Sequence, residues 1–443
     1  MNSATVGGEV VQAPARAGLR AWLTLALLSI AFFLSLLDRQ ILTVLVGPIK
    51  ADLGISDSQF GLLQGLAFAV FYVLFAVPVA AIADRWNRTV VIAGGLFLWS
   101  ASTCAAGFAR AFGWLFGARI GVGIGEACLA PAAYSMLTDL FGRKSLGRVI
   151  GIFHTVGAFG IAGSVAIGGA LHDYFAGSNL GESLGLPAWG MVLVAVGVPG
   201  VVLALIIAAV VRDPPRGESK QMQAEAAETS WSEAFLVLWR AILADRGAFM
   251  RLLIGGSLLA IAGNALLTWA PAYLMRTFEL TPAQAGPRLG LSFAIGAVVG
   301  PLAGGMLSDR LFKRWADAGT IAALVGCSLG TAACYIAFVL VDALMGAAIV
   351  IAMVSVFYSA VLVLVATAIQ LRAPAQLRAR ISALSLCLNT VIGLGLGSYL
   401  VGAMTDYVFA DPQAVGTSLV IVAIASSVLG GALIATLISL PRR

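Results

Sequence analysis

Residues 25–46 read LALLSIAFFLSLLDRQILTVLV. About 20 apolar residues suffice to carry one helix across a bilayer, and this run is long enough. It also holds Asp38 and Arg39 well inside the apolar stretch. A charge at that depth costs roughly 2.5–3.5 kcal/mol even on the lenient insertion scale, so such residues face a polar interior and mark function. The rest of the chain is then the housing that makes this pair tolerable.

The composition agrees. The 443 residues are 60% hydrophobic and only 11% charged, with a mean hydropathy of +0.98. A soluble chain carries about 25% charge. Twelve apolar runs are legible, at roughly 21–46, 59–83, 89–109, 112–137, 147–172, 189–211, 248–274, 284–307, 319–341, 343–369, 380–405 and 415–440. The expected fold is an all-α membrane protein of twelve transmembrane helices. The first run is too long for a signal peptide and lacks a convincing cleavage site, so it reads as a retained anchor.

Charge sets the orientation. With the amino end inside, most of the 27 basic residues fall in the tail, the even-numbered loops and the carboxyl end; Lys50, Arg110, Arg276 and Arg288 fall opposite. The positive-inside bias therefore places both termini in the cytoplasm of a multi-pass inner-membrane protein. The same distribution accounts for the net charge of +6 without nucleic acid. The five cysteines all sit in apolar runs without metal spacing and read as small buried hydrophobes. No cofactor or metal is expected.

The second half echoes the first. Gly305 to Arg314, with Asp309 and Arg310, matches the loop around Asp84-Arg85, and Gly168 to Phe175 is echoed by Val401 to Phe409. Asp84 and Asp309 lie 225 residues apart, Asp173 and Asp406 233. Both echoes fall on the same helix and side of each half, which indicates two six-helix halves related by a parallel repeat, with a cavity between them. The divisions expected are a disordered cytoplasmic tail at 1–18, an amino-terminal half at 19–211, a cytoplasmic linker at 212–246 and a carboxyl-terminal half at 247–443. Trp231 to Ala244 in the linker is amphipathic enough to lie on the membrane surface. Asp84, Arg85, Arg88, Asp309 and Arg310 are the candidate cytoplasmic gate, because a loop that only retained positive charge would need no acid.

Four charges lie deep in apolar runs: Asp38 and Arg39 on the first helix, Arg119 and Glu126 on the fourth. The last two are seven apart, about 10 Å along one helix face. Unpaired, the four would cost ~10–14 kcal/mol, so pairing is nearly forced. A fixed salt bridge is one reading, but such a bridge stabilises poorly against an apolar alternative. The other is a proton switch. Burial and a nearby arginine pull a carboxylate's proton affinity in opposite directions, which leaves it able to titrate. Asp38 is then the main proton site with Glu126 coupled to it, and Arg39 and Arg119 are the counter-charges. Candidate substrate contacts are Arg119, His154, Asn264, Trp269, Tyr358 and Asn389. His154 reads first as a hydrogen-bonded packing residue. The glycines at 121, 123 and 125 have the wrong spacing for a phosphate loop and follow no strand; they read as a close-packing helix surface.

These residues resemble a known family. Asp84-Arg85 with Arg88 is similar to the loop signature of the major facilitator superfamily, although Ala80 and Asn87 stand for its glycines and Thr89 for a base. Asp38-Arg39-Gln40, Ser56-Asp57-Ser58-Gln59 with Gly61-Leu62-Leu63, Asp84 to Arg88, Gly123 to Ala127 with Pro131, and Asp139-Leu140-Phe141 together resemble its spinster branch. The match covers roughly residues 38–170; beyond it come Trp269-Ala270-Pro271 and Gly300 to Arg310. The resemblance implies an alternating-access carrier in the major facilitator fold. It implies a lipid-like substrate, since animal spinster proteins move sphingosine-1-phosphate and lysophospholipids. It also implies proton sensing at Asp38, Arg39 and Glu126. Low Lys with high Ala, Gly and Arg suggests a bacterial chain.

The expected function is a proton-linked secondary active transporter of an amphipathic, lysophospholipid- or sphingolipid-like molecule, acting as a monomer. The alternative is a proton-coupled carrier of small organic anions or drugs. An intramembrane enzyme is not expected, because the hydrolase and metalloprotease motifs are missing and there are two histidines. The chain has no P-loop for a nucleotide-driven pump, and a non-transporting receptor is the remaining class.

Overall fold

A computed structural model describes residues 18–215, 247–373 and 378–438. Of the tail expected at 1–18 only Gly18 falls among them, and the amphipathic helix expected at 231–244 lies outside the described residues, as does most of the linker. Among the described residues, twelve helices are long and apolar enough to cross a membrane: α1 (Leu19–Val44), α2 (Asp57–Ala76), α3 (Arg88–Ala106), α4 (Phe112–Phe141), α5 (Ser145–Ala176), α6 (Ala188–Val210), α7 (Ala248–Thr277), α8 (Pro282–Trp315), α9 (Asp317–Phe338), α10 (Leu344–Arg372), α11 (Ile381–Phe409) and α12 (Pro412–Ala435). No strand occurs among the described residues.

Local chemistry explains where helices start and break. Ser56 caps α2 through a reciprocal capping box with Gln59, and Thr281 caps α8 through the same box with Gln284. Each box satisfies two backbone donors that a helix start leaves open. α4 is interrupted after Glu126, just before Pro131, whose ring denies Ala127 a regular helical partner. Two expected loops are in fact helical. Residues 142–144 keep helical hydrogen bonding, so Leu129–Ala176 is one run. That run folds back on itself, because the Tyr134 hydroxyl and His154 Nε2 are 2.8 Å apart; a straight helix would hold them ~30 Å apart. α8 likewise continues through Asp309 to Trp315, which carries the basic residues there on a helix rather than a loop.

The apolar core has three parts. One joins both halves near the face that bears the 45–56 loop, with Leu45, Ile49, Phe60, Trp269, Ala285 and Val401 among its members. Toward the opposite face each half keeps its own core: one around Leu25, Phe68, Trp99 and Phe153, the other around Phe249, Leu324, Leu364 and Ile434. Among the described residues, Leu394 is the one residue of the carboxyl half in the amino-half core. The halves are thus sealed on one face and separate toward the face of the termini.

Two seams make the seal, α2 against α11 and α5 against α8. Both rely on glycines that bring backbones into contact. A Cβ on Gly61 would strike the carbonyl of Ser398, and one on Gly286 that of Val165. Gly65 meets the carbonyl of Gly395, and Gly290 that of Ala162. Gly402 meets the carbonyl of Asp57, and Gly169 that of Pro282. Each second contact is the first one moved by the 225- and 233-residue offsets of the sequence echo. The internal repeat therefore extends to the packing of the two halves.

Candidate functional site

Asp38 and Arg39 are neighbours on α1, so their side chains leave the helix about 100° apart. They end in different places. Asp38, 2% exposed, points into the amino half, where Thr103 Oγ1 of α3 donates to its Oδ2 at 3.3 Å. Arg39 turns toward the space between the halves. Its Nη2 lies 2.5 Å from Oε2 of Glu126, which also accepts from Ser35 Oγ at 2.9 Å. Its guanidinium lies over the rings of Phe68 and Tyr72, 4.5 and 5.4 Å from their centroids. Stacking of this kind suits a weakly hydrated guanidinium in a dry setting.

The four deep charges do cluster, but only one ion pair forms, Arg39 with Glu126. Arg119 is 3% exposed and reaches Asp38 only through the backbone carbonyl, at 3.5 Å from Nη1. Its Nε and Nη2 find no partner among the described residues, and neither does Asp38 Oδ1.

A cavity of about 270 Å³ lies between the halves. Arg39 and Gln40 line it from α1; Asn264, Ser355, Tyr358, Asn389 and Thr390 line it from the carboxyl half. Ala158, Ile161, Phe293, Ala297 and Leu362 form an apolar wall. Three of the expected substrate contacts, Asn264, Tyr358 and Asn389, are therefore brought together opposite Arg39. The other three lie elsewhere. Arg119 is inside the amino half. Trp269 is fully buried in the seal, where its indole N–H donates to the Ser398 carbonyl at 2.9 Å. His154 sits on the same stripe of α5 as Ala158 and Ile161, exposed and bonded to Tyr134.

Of the expected gate, the side chain of Asp84 lies outside the described residues, and Arg85, Arg88, Asp309 and Arg310 do not meet across the halves. Arg88, 1% exposed, ties the amino half to the start of the linker: Nε to Asp213 at 2.7 Å, Nη1 to Asp139 at 2.5 Å and Ser135 at 2.8 Å, Nη2 to the Pro214 carbonyl at 2.7 Å. Arg85, Asp309 and Arg310 are exposed and have no ion pair among the described residues. The closure is on the other face, at a cluster the sequence reading passed over. Arg276 at the end of α7 grips Asp57 with two nitrogens, at 2.7 and 2.9 Å, and the Pro412 carbonyl at 2.9 Å. Lys50 also pairs with Asp57. Asp406 accepts from the backbone N–H groups of Asp57 and Ser58, at 3.2 and 2.6 Å. The available signal was Asp57 at a helix start beside Lys50 and Arg276, two of the few bases on that side.

The family model described as Major Facilitator Superfamily matches residues 28–398. The chain belongs to the Major Facilitator Superfamily. Family membership makes it a transporter and not an enzyme. It is 29% identical to an MFS-type efflux pump of Mycolicibacterium smegmatis, over 93% of this chain and 91% of that protein. It is 26% identical to Protein spinster of Drosophila melanogaster over 72% of this chain, a match that spans 51% of the fly protein. A solved bacterial homologue of the human lysosomal transporter Spinster, in an inward-facing and unoccupied conformation, superposes with a TM-score of 0.76 at 26% identity, covering 94% of this chain and 95% of that one. The facilitator fold and the Spinster likeness expected from Asp38 to Asp139 are both present in these matches.

Proposed function

We propose that this facilitator is a proton-linked secondary active transporter of an amphipathic, lysophospholipid- or sphingolipid-related molecule, working by alternating access. The observation that carries the reading is the position of Arg39, which pairs with buried Glu126 and also lines the cavity. An anionic head group entering the cavity would compete with Glu126 for the guanidinium. Asp38, buried and without an ion pair among the described residues, is the proposed proton site, and Glu126 is coupled to it through the same cluster of charges. The head group would rest between Arg39 and the amides of Asn264 and Asn389. A volume of about 270 Å³ falls at the lower edge of drug-sized pockets, so a long tail would follow the wall of Ala158, Ile161, Phe293 and Ala297. With the termini cytoplasmic, this state faces inward.

The test is uptake of lysolipids into proteoliposomes with and without an imposed pH gradient. Gradient-stimulated transport that is lost in Asp38→Asn supports the proposal; undiminished pH dependence in that variant sinks it. The modest cavity and the likeness to an efflux pump favour the second reading, a carrier of small organic anions or drugs. Transport of small anions and none of lysolipid in the same assay would select it.

A further inference from the structure

The two seams of the seal repeat each other contact for contact up to one rung, and there they part. At the α2/α11 seam, Gly402 lies against the Asp57 carbonyl, and one turn on Asp406 takes the N–H groups of Asp57 and Ser58. At the α5/α8 seam, Gly169 lies against the Pro282 carbonyl, and one turn on stands Asp173. The groups equivalent to the two N–H donors belong to Pro282 and Ala283. Proline has no N–H to give. Among the described residues Asp173 has no side-chain bond to α8; its carboxylate is 36% exposed and has His172 Nδ1 at 3.2 Å. Nor does that seam have a counterpart of the Lys50–Asp57–Arg276 cluster, because Pro282 occupies the position of Asp57. The helices differ as well: α11 carries π-helical turns at Asn389–Leu396 and Met404–Phe409, whereas α5 is α-helical to Ala176.

We infer that the sealed face opens unequally: the α5/α8 seam parts ahead of the α2/α11 seam, which is the one held by charge. The glycine contacts are common to both seams and cancel in the comparison. What remains is a carboxylate bonded to a helix start and an aspartate gripped by two bases on one side, and nothing equivalent on the other. Charge-assisted hydrogen bonds are roughly twice as strong as neutral ones, so the locked seam is the slower to yield. The inference rests on the alternating-access reading but not on the identity of the substrate or on proton coupling.

Paired spin labels test it, in a transport-active background without the native cysteines, reconstituted in nanodiscs over a pH series with lysophosphatidylcholine. One pair replaces Gln59 and Tyr407, the other their repeat equivalents Gln284 and Tyr174. All four are exposed, and each pair gives up one capping glutamine. The expected result is a long-distance population at least ~10-fold larger at Gln284/Tyr174, the factor that one charge-assisted bond supplies. Asp406→Asn should raise the Gln59/Tyr407 population toward it. Pro282→Ala, which restores an N–H for Asp173, should lower the other. Equal populations at the two pairs, or a larger one at Gln59/Tyr407, overturn the inference and leave alternating access standing. If neither pair moves in protein that transports, alternating access falls and the inference with it.

Discussion

Arg276 and Asp57 belong to opposite halves of the chain, and each of two guanidinium nitrogens of the one meets an oxygen of the other, at 2.7 and 2.9 Å. Asp57 is fully buried and starts α2; Arg276 closes α7. The pair therefore joins the end of one half to the beginning of a helix in the other, on the face where the cavity is shut. Removing one partner of a buried pair costs ~3–5 kcal/mol because the other charge is left behind. Arg276→Ala should lower the thermal midpoint in detergent and shift the population away from the sealed state, which slows the labelling of a cysteine placed at Asn389 in the cavity. Arg276→Lys should recover only part of both, since an ammonium lacks the two-pronged geometry.

Arg39 carries the contact between Glu126 and the cavity. Glu126→Gln keeps the shape of the side chain and removes its charge. The expected outcome is a folded protein whose transport responds weakly to an imposed pH gradient, with stimulation down at least ~10-fold, the size of one lost charge-assisted bond of ~1.5 kcal/mol or more. Initial rates against pH would show a flattened profile, and an unchanged profile would remove Glu126 from the proton pathway.

Arg88 makes a separate prediction because its partners lie in the amino half and the first residues of the linker, none of them in the carboxyl half. Arg88→Ala leaves Asp139 and Asp213 without this base, and the buried Asp139 carries most of the penalty. A loss of ~3–5 kcal/mol is expected, seen as poor expression and early aggregation. In whatever protein survives, the shape of the pH profile should stay the same. A change in that shape would assign Arg88 to coupling instead.

Gly61→Ala and Gly286→Ala should behave alike, because they are repeat equivalents and each Cβ would meet a backbone carbonyl across a seam. Overpacking of this kind costs ~1–3 kcal/mol, and only while the seams are shut. Both variants should shift the population away from the present state, which labelling of a cysteine at Asn389 would report as slower modification.

Much of this was legible in the chain. Twelve spans follow from hydrophobic runs, and the repeat was visible in Asp84/Asp309 and Asp173/Asp406. The burial of Asp38, Arg119 and Glu126 follows from charges stranded in oil. What the sequence left open was pairing. Asp38 and Arg39 are adjacent, and only the fold, which sets Thr103 of α3 beside the one and Glu126 of α4 beside the other, sends one inward and the other to the cavity. The seal was missed for a different reason. Asp57, Lys50 and Arg276 sit at helix ends, where charges are ordinary, and nothing local shows that Arg276 crosses 219 positions to meet Asp57. Residues 142–144 and 309–315 read as loops because their charges mimic one, although they hold no proline to stop a helix.

The matched glycine contacts have a consequence for ancestry. A contact of residue i with j in one place and of their repeat equivalents in another is the signature of an isologous interface. The two seams are thus two copies of a single self-complementary surface, such as a six-helix homodimer would form about a two-fold axis. In that ancestor a substitution would have altered both seams at once. Fusion into one polypeptide let them diverge, and a proline at 282 where its repeat equivalent is an aspartate at 57 is the kind of difference that no symmetric dimer can encode.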